Sequence, residues 1–246
     1  MGRIDISHGV AMMSSYMVNP RIGHLVEVLH IYAYLKLNPD YSLVLNPLKP
    51  SLTRNWTGLA DEWNDFYPGA TEAIPTNAPK PRGLPASTHC FVDADWAGNL
   101  QNRRSHTGMI LYVQSAPVIW ISKRQSTIET STYGAKLCAA KLAIEQIESL
   151  RYKLRMFGVD IVGPTLLFID NQSVVHNLWR PESVLKKKHL SIAFHRTRES
   201  VASGTMECHK VDSEENPADL LTKVLSGKQT HYHSSNILLC NASNIL

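Results

Sequence analysis

Residues 132–171 read TYGAKLCAAKLAIEQIESLRYKLRMFGVDIVGPTLLFIDN, and this run decides the fold class. Tyr133, Leu137, Ala140, Ile144, Ile147, Leu150 and Leu154 recur at helical spacing. Ser131 or Thr132 is placed to cap the start, and Gly158 and Gly163-Pro164 stop the helix. Leu166–Ile169 is then a short continuous apolar run, the pattern of a buried strand, and it ends in Asp170-Asn171. A long amphipathic helix feeding a buried strand is the signature of an α/β fold.

On the N-terminal side, His89–Val92 alternates into Asp93-Ala94-Asp95, and Met109–Val113 and Val118–Ile121 are β-type runs with a hairpin turn at Ser115-Ala116-Pro117. On the C-terminal side come helical stretches at 172–179 and 185–203, a strand near 205–211, and a short helix from Asn216-Pro217. The order β-β-β-α-β-α-α-β-α predicts a mixed sheet with helices on its faces in a domain spanning residues 86–226. Before it, seven prolines between Pro47 and Pro85 mark residues 47–85 as an extended linker or strap, with Trp56, Trp63, Phe66 and Tyr67 as anchors. Residues 1–46 hold one good helix, His24–Leu37, which has no partner of its own on which to bury its apolar side. Residues 227–246 form a tail with no assigned role.

The 246 residues are 43% apolar and only 19% charged, which excludes wholesale disorder. No run of about 18 apolar residues is present, so no membrane partner is expected, and the N-terminus lacks the pattern of a secretory signal. The net charge of +4 is uneven: residues 1–85 balance seven basic against seven acidic side chains, so the whole excess lies in residues 86–246. Basic clusters there fit either a polyanionic partner or ordinary solvated surface. Cys90, Cys138, Cys208 and Cys240 are widely spaced and read as reduced thiols. His89-Cys90 and Cys208-His209 flank strands, so one member of each pair is expected to point inward, against a zinc site.

Three aspartates stand where the architecture makes them informative: Asp93 in the first strand of the domain, Asp170 after the crossover helix, and Asp219 in the first turn of the last helix. Ligands of open α/β sheets gather at the carboxyl ends of strands. Three converging carboxylates repel one another unless a cation neutralises them. Such a cluster suits two-metal phosphodiester hydrolysis, whereas each aspartate alone reads as a cap.

These stretches together resemble the C-terminal part of a copia-type retrotransposon polyprotein, the end of its reverse transcriptase followed by ribonuclease H. The matching segments are FVDADWAG (91–98), RRSHTG (103–108), IWISKRQ (119–125), ETSTYGAKLCAA (129–140), LRYKLRMFGV (150–159), IDNQSVV (169–175), LKKKHLSIAFHRTRE (185–199) and NPADLLTK (216–223). PRIGHLVEVLHIYAYLK (20–36) and NAPKPRG (77–83) are similar to the family's sequence upstream of the nuclease. The resemblance implies a ribonuclease H-like mixed five-stranded sheet with helices on both faces, preceded by a polymerase remnant. It also implies an RNA–DNA hybrid as substrate, Mg2+ or Mn2+ as cofactor, the rest of the reverse transcriptase as partner, and a cytoplasmic particle or nuclear location rather than secretion. Asp93, Asp170 and Asp219 would be the catalytic metal ligands. Arg103, Arg104, Lys123, Arg124, Lys186, Lys187 and Lys188 are the candidate backbone contacts; Trp179-Arg180 and Trp120 are candidates for stacking, with core packing the favoured reading of Trp120.

One departure stands out. The family places a glutamate at the start of the long helix, where this sequence has Lys136. Lysine changes the local charge by two units and offers no acceptor. Even at an effective dielectric of about 20, like charges roughly 4 Å apart repel by on the order of 4 kcal/mol. Metal occupancy and turnover are therefore expected to fall sharply, and Glu129, seven residues upstream, is not expected to substitute.

Overall fold

A computed structural model describes residues 2–52 and 63–240, so Trp56 lies outside the described residues. In chain order the elements are α1 (Ser7–Ser14), α2 (Ile22–Leu37), β1 (Tyr41–Leu43), α3 (Trp63–Phe66), β2 (Thr88–Asp95), β3 (His106–Val113), β4 (Ala116–Arg124), α4 (Thr132–Met156), β5 (Thr165–Ile169), α5 (Gln172–Trp179), α6 (Ser191–Ala202), β6 (Met206–Lys210), α7 (Gly227–Ile237) and β7 (Leu238–Cys240). Five strands form one sheet in the order β4-β3-β2-β5-β6. β2, β3 and β4 pair antiparallel, while β2–β5 and β5–β6 are parallel. This is the mixed sheet the element order predicts. β1 and β7 form a separate antiparallel pair.

Ser131 caps α4 by accepting from the Gly134 amide at 3.2 Å, and Gly158, at φ +74°, turns the chain out of the helix. Leu137, Ala140, Ile144 and Ile147 of the expected stripe are buried, and Ala135, Ala139 and Ala143 widen the buried side. The small residues let the helix lie close to the sheet. This face, with β2, β3, β5, α5 and α6, holds the larger core. The other face is closed by Ile4, Leu220, Leu221 and Ile237 over Ile110 and Tyr112. Its cover is short helical pieces and α7 rather than long helices, so both chain ends contribute to it.

Several local expectations are corrected. The hairpin turns at Gln114-Ser115, with Gln114 at φ +55°, and Pro117 sits inside β4. An edge strand tolerates proline because its missing amide faces away from a partner. The lysine triplet does not open a helix: Lys188–Leu190 is a 3-10 turn and α6 starts at Ser191. The segment after Asn216 is likewise 3-10, Pro217–Leu221. Both members of His89-Cys90 and of Cys208-His209 are buried, because strand neighbours point to opposite faces and both faces are covered.

The proline-rich segment is pinned to the domain. Trp63 is buried against the larger core, and the fully buried Arg198 guanidinium lies 5.0 Å from the Trp63 ring centre and 4.7 Å from that of Phe194. Arg198 also donates to the carbonyls of Asn177, Arg180 and Pro181. Glu72 receives Arg151 Nε at 2.6 Å and Arg155 Nη2 at 2.7 Å. Of the other expected anchors, Tyr67 packs on the core and Phe66 is about half exposed. No helix of the described residues is long and apolar enough to cross a membrane.

Candidate active site, closed by two lysines

The backbone brings the three aspartates together. β2 and β5 are adjacent and parallel, with Val92 opposite Ile169, so Asp93 and Asp170 lie side by side. Asn171 caps α5 by accepting from the Val174 amide at 3.1 Å, which leaves Asp170 facing the site. Asp219 arrives through a close approach. Asp93 pairs across the sheet with Gly108, and a Cβ on Gly108 would sit 2.7 Å from Ala218 O, Leu221 Cβ and Thr222 Cγ2. Only glycine lets the Pro217–Leu221 turn lie on β3. Asn216 fixes that turn, donating to Val92 O at 3.0 Å and accepting from the Ala218 amide at 3.1 Å.

Lys136, one turn into α4, points into this cluster. Its Nζ donates to Asp93 Oδ1 at 2.8 Å and to Asp170 Oδ1. Lys223 Nζ lies 2.9 Å from Asp219 Oδ2 and 3.7 Å from Asp93 Oδ2. Thr222 Oγ1 donates to Asp93 Oδ2 at 2.6 Å, and Ser213 Oγ donates to Asp170 Oδ2 at 3.1 Å. Lys223, Thr222 and Ser213 were not singled out from the sequence. The i,i+4 spacing of Asp219 and Lys223 was a readable signal.

Burial opposes ionisation of Asp93, which is 1% exposed, but Lys136 and then Lys223 outweigh it and hold its pKa below the usual carboxylate range. Burial likewise disfavours the charged form of Lys136, yet Asp93 and Asp170 raise its pKa above that of a free lysine. Asp219 goes the other way. Burial and then the negative charge of Asp93 push it up to about 7 despite Lys223, and its Oδ1 is buried with no hydrogen-bond partner among the described residues.

The donor set does not suit a divalent cation. The oxygens of Asp93 and Asp170 that face each other already share an ammonium group, and α4 supplies no acceptor at Lys136. Among the described residues no group of three or more His, Cys, Asp or Glu side chains is placed to hold a metal. Glu129 lies elsewhere: its Oε1 accepts from Thr127 at 2.9 Å, and its Oε2 makes no hydrogen bond among the described residues, with His189 Nε2 3.5 Å away.

The basic residues gather at the same end of the sheet. Lys123 and Arg124 pair with Thr107 and His106, beside the Asp93–Gly108 pair. Lys187 Nζ donates to Ser131 Oγ, the cap of α4, at 2.6 Å. Arg103, Lys123, Lys186 and Lys188 are exposed and Arg104 is half-buried in the loop after β2. Neither tryptophan is free to stack on a base. Trp120 packs against the second core cluster, and Trp179 packs on the first and donates to Cys208 O.

The sheet order, the parallel β2–β5–β6 half and the antiparallel β2–β3–β4 half make this a mixed five-stranded α/β domain. Along 91% of its length the chain is similar to retrovirus-related Pol polyproteins of transposons, in their C-terminal region. It is 25% identical over 224 residues to the Pol polyprotein from transposon RE2 of Arabidopsis thaliana, and 26% identical over 223 residues to that from transposon TNT 1-94 of Nicotiana tabacum. The chain spans 13% and 14% of the length of those two proteins. A structure of ribonuclease H1 from Halobacterium salinarum superposes with a TM-score of 0.43 at 19% identity, covering 55% of this chain and 94% of that one. No family model matches the chain.

Proposed function

We propose that the chain is a degenerate ribonuclease H domain of a retrotransposon polyprotein, which binds RNA–DNA hybrid and cleaves it poorly or not at all. In this reading residues 86–226 are the nuclease-fold domain, 47–85 its strap and 1–46 a remnant of the polymerase that would accompany it. The observation that carries the reading is Lys136 Nζ lodged between Asp93 and Asp170, the two carboxylates that would have to receive metal. An ammonium group there satisfies both carboxylates, which removes their demand for a divalent ion and blocks its place.

Arg103, Arg104, Lys123, Arg124 and the Lys186–Lys188 triplet are the cations that would meet the hybrid. Cations of this kind neutralise phosphates, and small donors suit 2′-hydroxyls, so recognition rests on backbone rather than base edges. Similarity to transposon Pol polyproteins supports a hybrid as the ligand. The test is hybrid cleavage in Mg2+ and in Mn2+ by the wild-type chain and by Lys136→Glu. The expected result is cleavage by the variant alone; wild-type turnover matching the variant overturns the reading.

A further inference from the structure

We infer that the two lysines at the carboxylate cluster act as built-in counter-ions, so that this site accepts a phosphodiester backbone without any divalent cation. The inference rests on the hybrid-binding reading above and adds to it how the site tolerates a polyanion.

Each lysine bridges two carboxylates and both share Asp93: Lys136 joins Asp93 to Asp170, and Lys223 joins Asp93 to Asp219. With every group ionised, three carboxylates and two ammonium groups leave one negative charge. A glutamate in place of Lys136 would make four carboxylates against one ammonium and leave three. A cluster of the second kind repels phosphate until metal fills it; the observed one does so far less.

The two lysines also divide the work by depth. The Lys136 side chain is 13% exposed and spends its charge on the buried pair. That of Lys223 is 41% exposed, at the lip of the cluster, where its charge reaches solvent and an approaching phosphate. Thr222 and Ser213 supply the remaining donors to Asp93 and Asp170, so these two carboxylates are satisfied by the chain itself.

The experiment measures affinity for a short RNA–DNA hybrid by fluorescence anisotropy at fixed ionic strength, in EDTA and in Mg2+, with wild type, Lys136→Glu and Lys136→Gln. Circular dichroism in EDTA establishes that each variant is folded, and Lys136→Gln carries the comparison if Lys136→Glu does not fold. Wild type should bind equally, within about twofold, in both buffers, whereas Lys136→Glu should lose about tenfold in EDTA and regain it in Mg2+. Lys136→Gln should fall between them. Wild-type binding that needs Mg2+, or variants indifferent to EDTA, overturns this inference and leaves the hybrid-binding reading standing. Absence of wild-type binding in both buffers overturns both.

Discussion

One face of the sheet is covered by α4 and α6, which the chain supplies between the sheet's own strands; the other is covered by the Pro217–Leu221 turn together with residues from the flanking segments 1–46 and 227–240. On the first face Leu137, Ile144, Ile147 and Phe194 pack on β2, β3 and β5 in one continuous core. On the second, Ile4 and Ile237 meet Leu220, Leu221, Ile110 and Tyr112 in a smaller cluster, held partly by the β1–β7 pairing. The second face also buries His8, His89 and His106, whereas the first buries Arg151 and Arg198, each held by acceptors of its own. A domain can therefore take its main core from contiguous sequence and still depend on its flanks to seal the opposite side. The segments that read as remnant and tail are structural cover.

The comparison breaks most readily at Ile144. Ile144→Ala should cost about 2–5 kcal/mol in urea unfolding, because α4 is held along its length and cannot collapse into the void. A loss under about 1 kcal/mol would mean that the first face is no better packed than the second. Ile237→Ala should cost less, about 2 kcal/mol, since the cluster it joins is the smaller of the two and leaves fewer contacts to lose. Equal losses at the two positions would erase the distinction.

Acid should act next, and on the second face. Burial lowers His89 to about 4, and burial, then His8 and Arg124, lower His106 to about 4 from an ordinary 6.5. His89 stacks on Tyr112 with ring centres 4.4 Å apart, and His106 meets Ser122 at 2.7 Å and the His8 ring at 5.0 Å. Both are neutral when folded, and the unfolded chain takes up protons first as pH falls. Stability from this source is complete above pH 6.5 and is lost as pH drops from 6.5 towards 4. Unfolding titrations of wild type and His106→Asn should diverge only in that window; parallel curves would refute the assignment.

The smallest effect belongs to the strap on the first face. Burial raises the Glu72 pKa, but the guanidinium groups of Arg151 and Arg155 outweigh it and bring it down to about 2. This contribution is present above about 4.5 and is lost as pH falls towards 2. Glu72→Gln should cost about 0.5–1 kcal/mol, since the carboxylate is partly solvated, and should speed proteolysis within residues 63–82. Unchanged cleavage there would show that Trp63 and Arg198 hold the strap unaided.

Much of this molecule is legible in its sequence. The crossover helix, the β5 run ending in Asp170 and the order of elements follow from periodicity, which reflects local sterics and burial. The three aspartates were readable too, because strand ends and a proline-led turn are visible in sequence. The cover on the second face was not readable, since Ile4 and Ile237 carry no mark that they meet. The helical start assigned to Lys186–Lys188 failed: Lys186 and Lys187 lie in irregular chain and only Lys188 enters the 3-10 turn that leads into α6.

The sequence by itself determined the α/β order, the Lys136 substitution within the resemblance and the excess of basic charge after residue 86. Only the tertiary structure decided that Lys136 and Lys223 each bridge two carboxylates. Those contacts join residues as far apart as Asp93 and Lys223, across strand register and the close approach that Gly108 allows. Side-chain charge is a property of each residue, but whether opposite charges meet depends on where the backbone brings them.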